Sequence, residues 1–278
     1  MAYSVEGLEK SRSTGFRPKN IFGTVLKEFL NLSNEHKILD LGCGTGFFTR
    51  IIAEQVSAVI IGIDINETLL DGAIKLAEEQ NLNIKYEIGD ITSINYPDNT
   101  FDIVMCDIML ECFKDISIPL REMKRVCKAG GIVVAIEPFY QSFCEYYPKE
   151  DIVTRDLLLK HSRADRDFGV GPMLPSLLND VGLLDIDLIS WFWGRIGYKF
   201  LDYETIDERI ESMEENLKSI RVHIVNSKQL TINEQNKVVE FYETKLNKFK
   251  QNPLNINQDM SVLGLPVFIV KGTKQWVI

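Results

Sequence analysis

Between positions 37 and 138 the chain alternates short apolar runs with longer stretches in which apolar residues recur every three or four positions. The short runs are rich in β-branched residues and bounded by polar turns, which is the pattern of strands buried on both faces. They are "KILDLG" (37–42), "AVIIGIDI" (58–65), "NIKYEIGD" (83–90), "FDIVMCDI" (101–108) and "GIVVAIEP" (131–138). The longer stretches have helical spacing. In "NIFGTVLKEFLNLS", Ile21, Val25, Leu26, Phe29 and Leu30 share one face. "FFTRIIAEQV" (47–56) and "ETLLDGAIKLAEEQ" (67–80) follow, the latter with Asn66 as its N-cap. "SIPLREMKRVCKAGG" (117–131) reads as a helix that Gly130-Gly131 stops. Strands and helices in this rhythm predict right-handed βαβ units and a doubly wound, mostly parallel α/β sheet.

The second half has a different pattern. "LPSLLNDVGLLDIDLISWFW" reads as a helix, a glycine stop and a strand, and "LPVFIVKGT" as a strand near the end of the chain. Residues 202–250 carry two long helical stripes. Ile206, Ile210, Met213, Leu217, Ile220 and Ile224 form one, and Val238, Phe241, Tyr242, Leu246 and Phe249 the other. The two are expected to pack as an αα-hairpin.

The chemistry concentrates where the first strand ends. In "ILDLGCGTGFFT", Gly42, Gly44 and Gly46 occupy alternate positions. Glycines there weaken a strand, so their use is a sharp turn that something approaches closely. A dinucleotide fingerprint places another glycine where this chain has the bulky Phe47. Asp40 at the mouth of the turn repels phosphate and attracts an ammonium group. Asp64 closes the second strand, where a carboxylate takes ribose hydroxyls. Asp90, beside Ile91, follows the third and is placed to receive an adenine amine. An amine, a ribose and a base are the groups of S-adenosylmethionine (SAM).

These segments resemble successive motifs of the class I SAM-dependent methyltransferases, in the small-molecule group similar to the ubiquinone/menaquinone-type enzymes. "ILDLGCGTGFFT", "IGIDIN", "IGDITSINYPDNTFDIVMCDIMLECFKD" and "EMKRVCKAGGIVVAIEP" carry the resemblance from about residue 36 to 138. It implies a Rossmann-like, seven-stranded, mostly parallel sheet. It implies SAM as cofactor, held by Asp40, Gly42, Cys43, Gly44, Gly46, Phe47, Asp64, Ile65, Asp90, Ile91 and the Cys106 backbone. The chain departs from the family twice. Glu111-Cys112 stands where many relatives have Glu-His, and residues 202–250 separate the last two strands. The expected organisation is an N-terminal helical lid (1–35), a SAM-binding core (36–201), an inserted helical cap (202–260) and the last core strand (261–278).

The expected activity is methylation of a small-molecule acceptor, partly apolar or aromatic, mainly through positioning. Asp107, Trp191, Trp193 and Tyr198 are the acceptor candidates; Phe192, Phe200 and Tyr203 belong to the same aromatic set, for which packing of the cap is the alternative. No residue pattern marks a general base. His161 has nothing to orient it, and the cluster Arg155, Lys160, His161, Arg163 and Arg166 reads as a solvated helix face or a site for an acidic acceptor. Tyr3, Phe16 and Arg17 are candidate lid residues, with a disordered tail as the alternative. Methylation of RNA or protein, and SAM binding without transfer, stay open.

Charge and cysteines narrow the setting. A net charge of −9 gives no basic stripe for phosphate neutralisation, so no nucleic-acid partner is expected. The five cysteines are scattered without a C-x-x-C pair, as expected for reduced thiols of a cytoplasmic protein. The three histidines lie in no ligand spacing, so no metal is expected. "MAYSVEGLEKSRSTGF" lacks the apolar segment of a secretory leader, and no run is long enough to cross a bilayer.

Overall fold

In the computed structural model the described residues are 4–15, 19–139, 144–145, 169–196, single positions between 207 and 227, 230–251 and 262–276. They form two compact units. The first comprises 1–139, 169–192 and 267–278, and the second 140–168 and 193–266.

The first unit is built on a sheet whose strands are β1 (Lys37–Leu41), β2 (Val59–Asp64), β3 (Lys85–Ile88), β4 (Phe101–Asp107), β5 (Cys127–Pro138), β7 (Leu184–Ile196) and β8 (Val262–Thr273). The short β6 (Cys144–Glu145) pairs with the start of β8, within the second unit. The sheet order is β3-β2-β1-β4-β5-β8-β6, with β7 also pairing β8. All pairs from β3 to β5 are parallel, and β8 runs antiparallel to β5.

The helices are α1 (Val5–Gly15), α2 (Lys19–Phe29), α3 (Phe47–Ala53), α4 (Glu67–Glu79), α5 (Ser117–Val126), α6 (Val170–Asp180) and α7 (Ile232–Gln251). Asn66 caps α4 as expected, its side chain accepting from the Leu69 N–H. Leu39, Leu41, Ile61, Ile63, Val104, Val133 and Ala135 project to one face of the sheet and join Leu120, Met123, Leu174 and Leu178 in a single core cluster. Ile38, Ile103, Val134 and Ile136 alternate with them and are also buried, so both faces are covered. Each such side chain stabilises the fold by roughly 1.5–3 kcal/mol.

The sheet order reverses between β1 and β4. Their pairing ends at Leu41–Cys106, beyond which the chain leaves β1 into the glycine turn. That divergence is the crevice in which open α/β sheets bind ligands.

One boundary differs from the expectation. The helix ends at Val126, and Cys127 is already extended and paired with Phe101. Gly130-Gly131 therefore does not stop a helix. Gly130 adopts φ +78° inside β5, where its N–H reaches the Lys274 carbonyl while the Lys274 N–H reaches Gly131. The pair accommodates a strand irregularity tied to the end of the chain.

In the second unit, described helical positions lie between 207 and 224, and α7 follows Thr231. Thr231 and Glu234 form a reciprocal capping box: the Thr231 N–H donates to Glu234 and the Glu234 N–H to the Thr231 hydroxyl. Ile224, Leu230 and Val238 make a small core with Tyr242 against it. Exposed pairs Lys250–Glu214 and Arg221–Glu243 link the two helical stretches.

Candidate active site

The glycine turn is a closed scaffold in which the N–H groups of Gly42, Cys43, Gly44 and Gly46 are already used. Gly42 and Cys43 donate to the Ile63 carbonyl, Gly44 to Asp64 Oδ2 and Gly46 to the Cys43 carbonyl. All three glycines have positive φ, at +68°, +54° and +72°. Their surroundings differ. A Cβ on Gly46 would collide with the Tyr86 hydroxyl, whereas one on Gly44 would meet nothing within 4 Å. Gly46 thus serves packing and Gly44 borders open space.

Asp40 and Asp107 line that space, and Asp64 and Asp90 stand after the neighbouring strands. Asp40 is buried; its Oδ2 accepts the Thr49 hydroxyl at 2.5 Å, and its Oδ1 has no hydrogen-bond partner among the described residues. Burial pushes its pKa up to about 7, with Asp107 and Asp64 adding to the rise while Thr49 and Arg12 oppose it. Asp64 Oδ1 accepts the Asn66 N–H at 2.9 Å, so this carboxylate braces the turn from the end of β2. Ile65 beside it is 71% exposed, an unusual position for an isoleucine. Asp90 Oδ1 is held by the backbone and hydroxyl of Thr92, which lowers its pKa, and Ile91 is buried.

α1 completes the site, and its residues were not singled out in the sequence. Leu8 and Arg12 line a cleft together with Asp40, Gly42, Cys43, Gly44, Thr45, Phe47, Phe48 and Asp107. Arg12 pairs with Asp107 Oδ2 at 3.1 Å. Glu9 accepts the Thr45 hydroxyl with one oxygen and pairs with the buried Arg50 through the other. Arg50 in turn donates to the Thr45 carbonyl. Gly72 of α4 lets α1 approach, since a Cβ there would sit 2.7 Å from Val5. The sequence offered the lid expected over 1–35 and, within it, Leu8 and Arg12 four apart on a helical face.

The far wall is a strained turn after β4. Ile108 has φ +46°, costly for a β-branched residue. It is held by its N–H to the Ile136 carbonyl, and the next two N–H groups, of Met109 and Leu110, both donate to Glu137 Oε1. Glu137 is fully buried at the end of β5, and burial raises its pKa strongly. The turn places the Met109 sulfur against Gly42.

Of the residues expected at the site, Asp40, Gly42, Cys43, Gly44, Phe47 and Asp107 converge on the cleft, and Asp64 and Gly46 support it. Cys106 stands at the last β1–β4 rung with its thiol buried in the core. Trp191 does not line this cleft; it packs edge-on to Phe22, 4.9 Å between centroids. The side chains of Phe192 and Trp193, and all of Tyr198, Phe200 and Tyr203, lie outside the described residues. So do Tyr3, Phe16, Arg17, Arg155, Lys160, His161, Arg163 and Arg166.

Comparison with known proteins bears on the family and the fold. A family described as "Methyltransferase domain" matches residues 32–166. A demethylmenaquinone methyltransferase from Geobacillus sp. (strain WCH70) is 32% identical over 59% of this chain and 78% of its own. The chain belongs to the class I SAM-dependent methyltransferases. A ubiquinone biosynthesis O-methyltransferase from Coxiella burnetii is 33% identical over 38% of this chain; the match spans 44% of that protein, less than half its length. A putative methyltransferase from Bacillus halodurans shares the fold at TM-score 0.57, with 17% identity over 91% of this chain and 99% of that one.

The residues present fit SAM, the family's cofactor. With the N–H groups of Gly42, Cys43, Gly44 and Gly46 internally satisfied and Asp40, Asp64 and Asp107 around the cleft, the site suits a cationic tail and not a pyrophosphate. The unpartnered Oδ1 of Asp40 is a ready acceptor for an ammonium group. No helix of the described residues is long and apolar enough to cross a membrane.

Proposed function

We propose that this methyltransferase acts on a small-molecule acceptor, partly apolar or aromatic, chiefly by holding it in line with the cofactor. The observation that carries the reading is the enclosure of the cleft by α1, whose Leu8 and Arg12 roof the crevice between Gly42 and Asp107. Such a roof leaves room for a small reacting group and keeps water out. Bound SAM supplies a methyl group already activated on a sulfonium, so the protein's main task is alignment.

Each residue then has a role. Asp40 holds the amino end of the cofactor, Asp64 its ribose, and Ile65 and Asp90 flank the base. Gly44 keeps the approach open, and Glu9 with Arg12 anchors α1 across the site. The demethylmenaquinone named for the Geobacillus relative and the ubiquinone biosynthesis named for the Coxiella one support an aromatic acceptor.

The test is incubation with methyl-labelled SAM and a panel of quinols, phenols, amines, bulk RNA and protein. Label passing into a small aromatic acceptor, with stoichiometric S-adenosylhomocysteine, is expected. Label found only in RNA or protein overturns the reading.

A further inference from the structure

We propose that Asp107 takes the proton of a hydroxyl-bearing acceptor and that Arg12 holds the resulting oxyanion, so that the site selects phenols or enols over amines. This rests on the small-molecule reading above and deepens it.

Asp40 and Asp107 are the cleft carboxylates that each keep an unpartnered oxygen among the described residues, and with Asp40 assigned to the cofactor tail Asp107 is left for the acceptor. Asp64 is committed to Gly44 and Asn66, Glu137 to Met109 and Leu110, and Asp90 to Thr92. Asp40 is tied to Thr49 and faces the cofactor tail. Asp107 ends β4 at the mouth of the crevice, 8% exposed. Its Oδ2 faces Arg12, and its Oδ1 is buried without a hydrogen-bond partner among the described residues. Arg12 brings a guanidinium to the same spot from α1, so the pair assembles only when the helix is seated.

The groups facing Asp107 are Arg12 from α1, Asp40 from β1, Glu111 from the turn after β4 and Glu137 from β5. Burial dominates and lifts its pKa to about 7; Arg12 opposes the rise and Glu111 adds to it. A base poised near neutrality is the efficient one.

In the step, the acceptor's O–H bond breaks, its electron pair stays on oxygen and the proton goes to Asp107 Oδ1. The anion, or a ring carbon conjugated with it, is the nucleophile that receives the methyl group. Asp107 returns the proton to water when α1 lifts. An amine acceptor instead gains positive charge on methylation, which the Arg12 guanidinium opposes.

The probe is 4-hydroxybenzaldehyde, whose absorption separates phenol from phenolate, added at pH 7 to protein loaded with S-adenosylhomocysteine. Calorimetry in two buffers of different ionisation enthalpy counts the protons released. Wild type is expected to bind the probe as phenolate while keeping part of its proton. Asp107→Asn should release about half a proton more per bound probe, or lose the phenolate spectrum, and turn over phenolic acceptors roughly a hundredfold or more slowly. Arg12→Gln should lose the phenolate spectrum. Either an Asp107→Asn protein matching wild type in spectrum and proton count, or a loaded wild type that binds no phenolic probe, overturns the proposal. Binding of S-adenosylhomocysteine is measured first in all three proteins. Its absence in wild type would be a failure of the cofactor reading, whereas its retention in the variants keeps the proton test meaningful.

Discussion

The buried Asp40 makes cofactor binding depend on pH in a way that can be worked out in advance. In the free protein its pKa stands at about 7, raised from 3.8 chiefly by burial. An ammonium-bearing ligand binds the ionised form. About half of the molecules are ionised at pH 7 and roughly one in a hundred at pH 5. The ligand's own α-ammonium stays protonated across that range. Affinity for S-adenosylhomocysteine should therefore fall roughly 50-fold between pH 7 and pH 5, approaching a slope of tenfold per unit. Calorimetric titration at half-unit steps measures it. Asp40→Asn should bind weakly at every pH, with the slope gone. Asp107→Asn should keep the slope and move it to lower pH, because one of the charges that raises Asp40 has been removed. A wild-type affinity that is flat from pH 5 to 7, or full affinity in Asp40→Asn at pH 7, would refute the reasoning.

Other substitutions separate folding from function. Gly44→Ala should fold, at a cost of about 1 kcal/mol for its positive φ, yet lose S-adenosylhomocysteine binding, because its Cβ enters the open cleft; Gly46→Ala should lower the melting temperature far more by striking Tyr86. Glu137→Gln should leave stability nearly unchanged, since a neutral amide oxygen still accepts both N–H groups, whereas Glu137→Ala strands two of them and should cost about 2–4 kcal/mol in denaturant unfolding. Asp107 has its folded pKa raised from 3.8 to about 7, so the native state holds this proton more tightly and loses stability as pH rises through that interval. Asp107→Asn should then be more stable than wild type at pH 8, by on the order of 2–4 kcal/mol, by about half as much at pH 5.5, and equal to it only once pH falls below the unfolded value of 3.8.

How much of this could be read from the chain varied with the range of the interaction. The β1–turn–α3 unit was legible because glycines at alternate positions after an apolar run have few other uses, and Asp40 and Asp64 lie at strand ends that any parallel sheet brings together. The α5–β5 boundary was not. Gly130-Gly131 looks the same whether it ends a helix or accommodates a kink in a strand, and only the pairing of Cys127 with Phe101 decides between them. The segment of Leu8, Glu9 and Arg12 was expected as a lid, but the roles of these three residues were not legible, for a different reason. α1 is polar, and its meaning comes from Thr45, Arg50 and Asp107, which stand far along the chain. Glu137 carries no distinguishing signal in the sequence; its function as the clamp of the Ile108 turn appears only when β4 and β5 lie side by side.

The most direct measurement is a crystal structure of the protein with S-adenosylhomocysteine. The ligand is expected in the crevice between β1 and β4, its ammonium on Asp40, its ribose on Asp64, its backbone passing over Gly44, and α1 seated with Arg12 at Asp107. A ligand bound elsewhere, or one whose amino end lies away from Asp40, would contradict it.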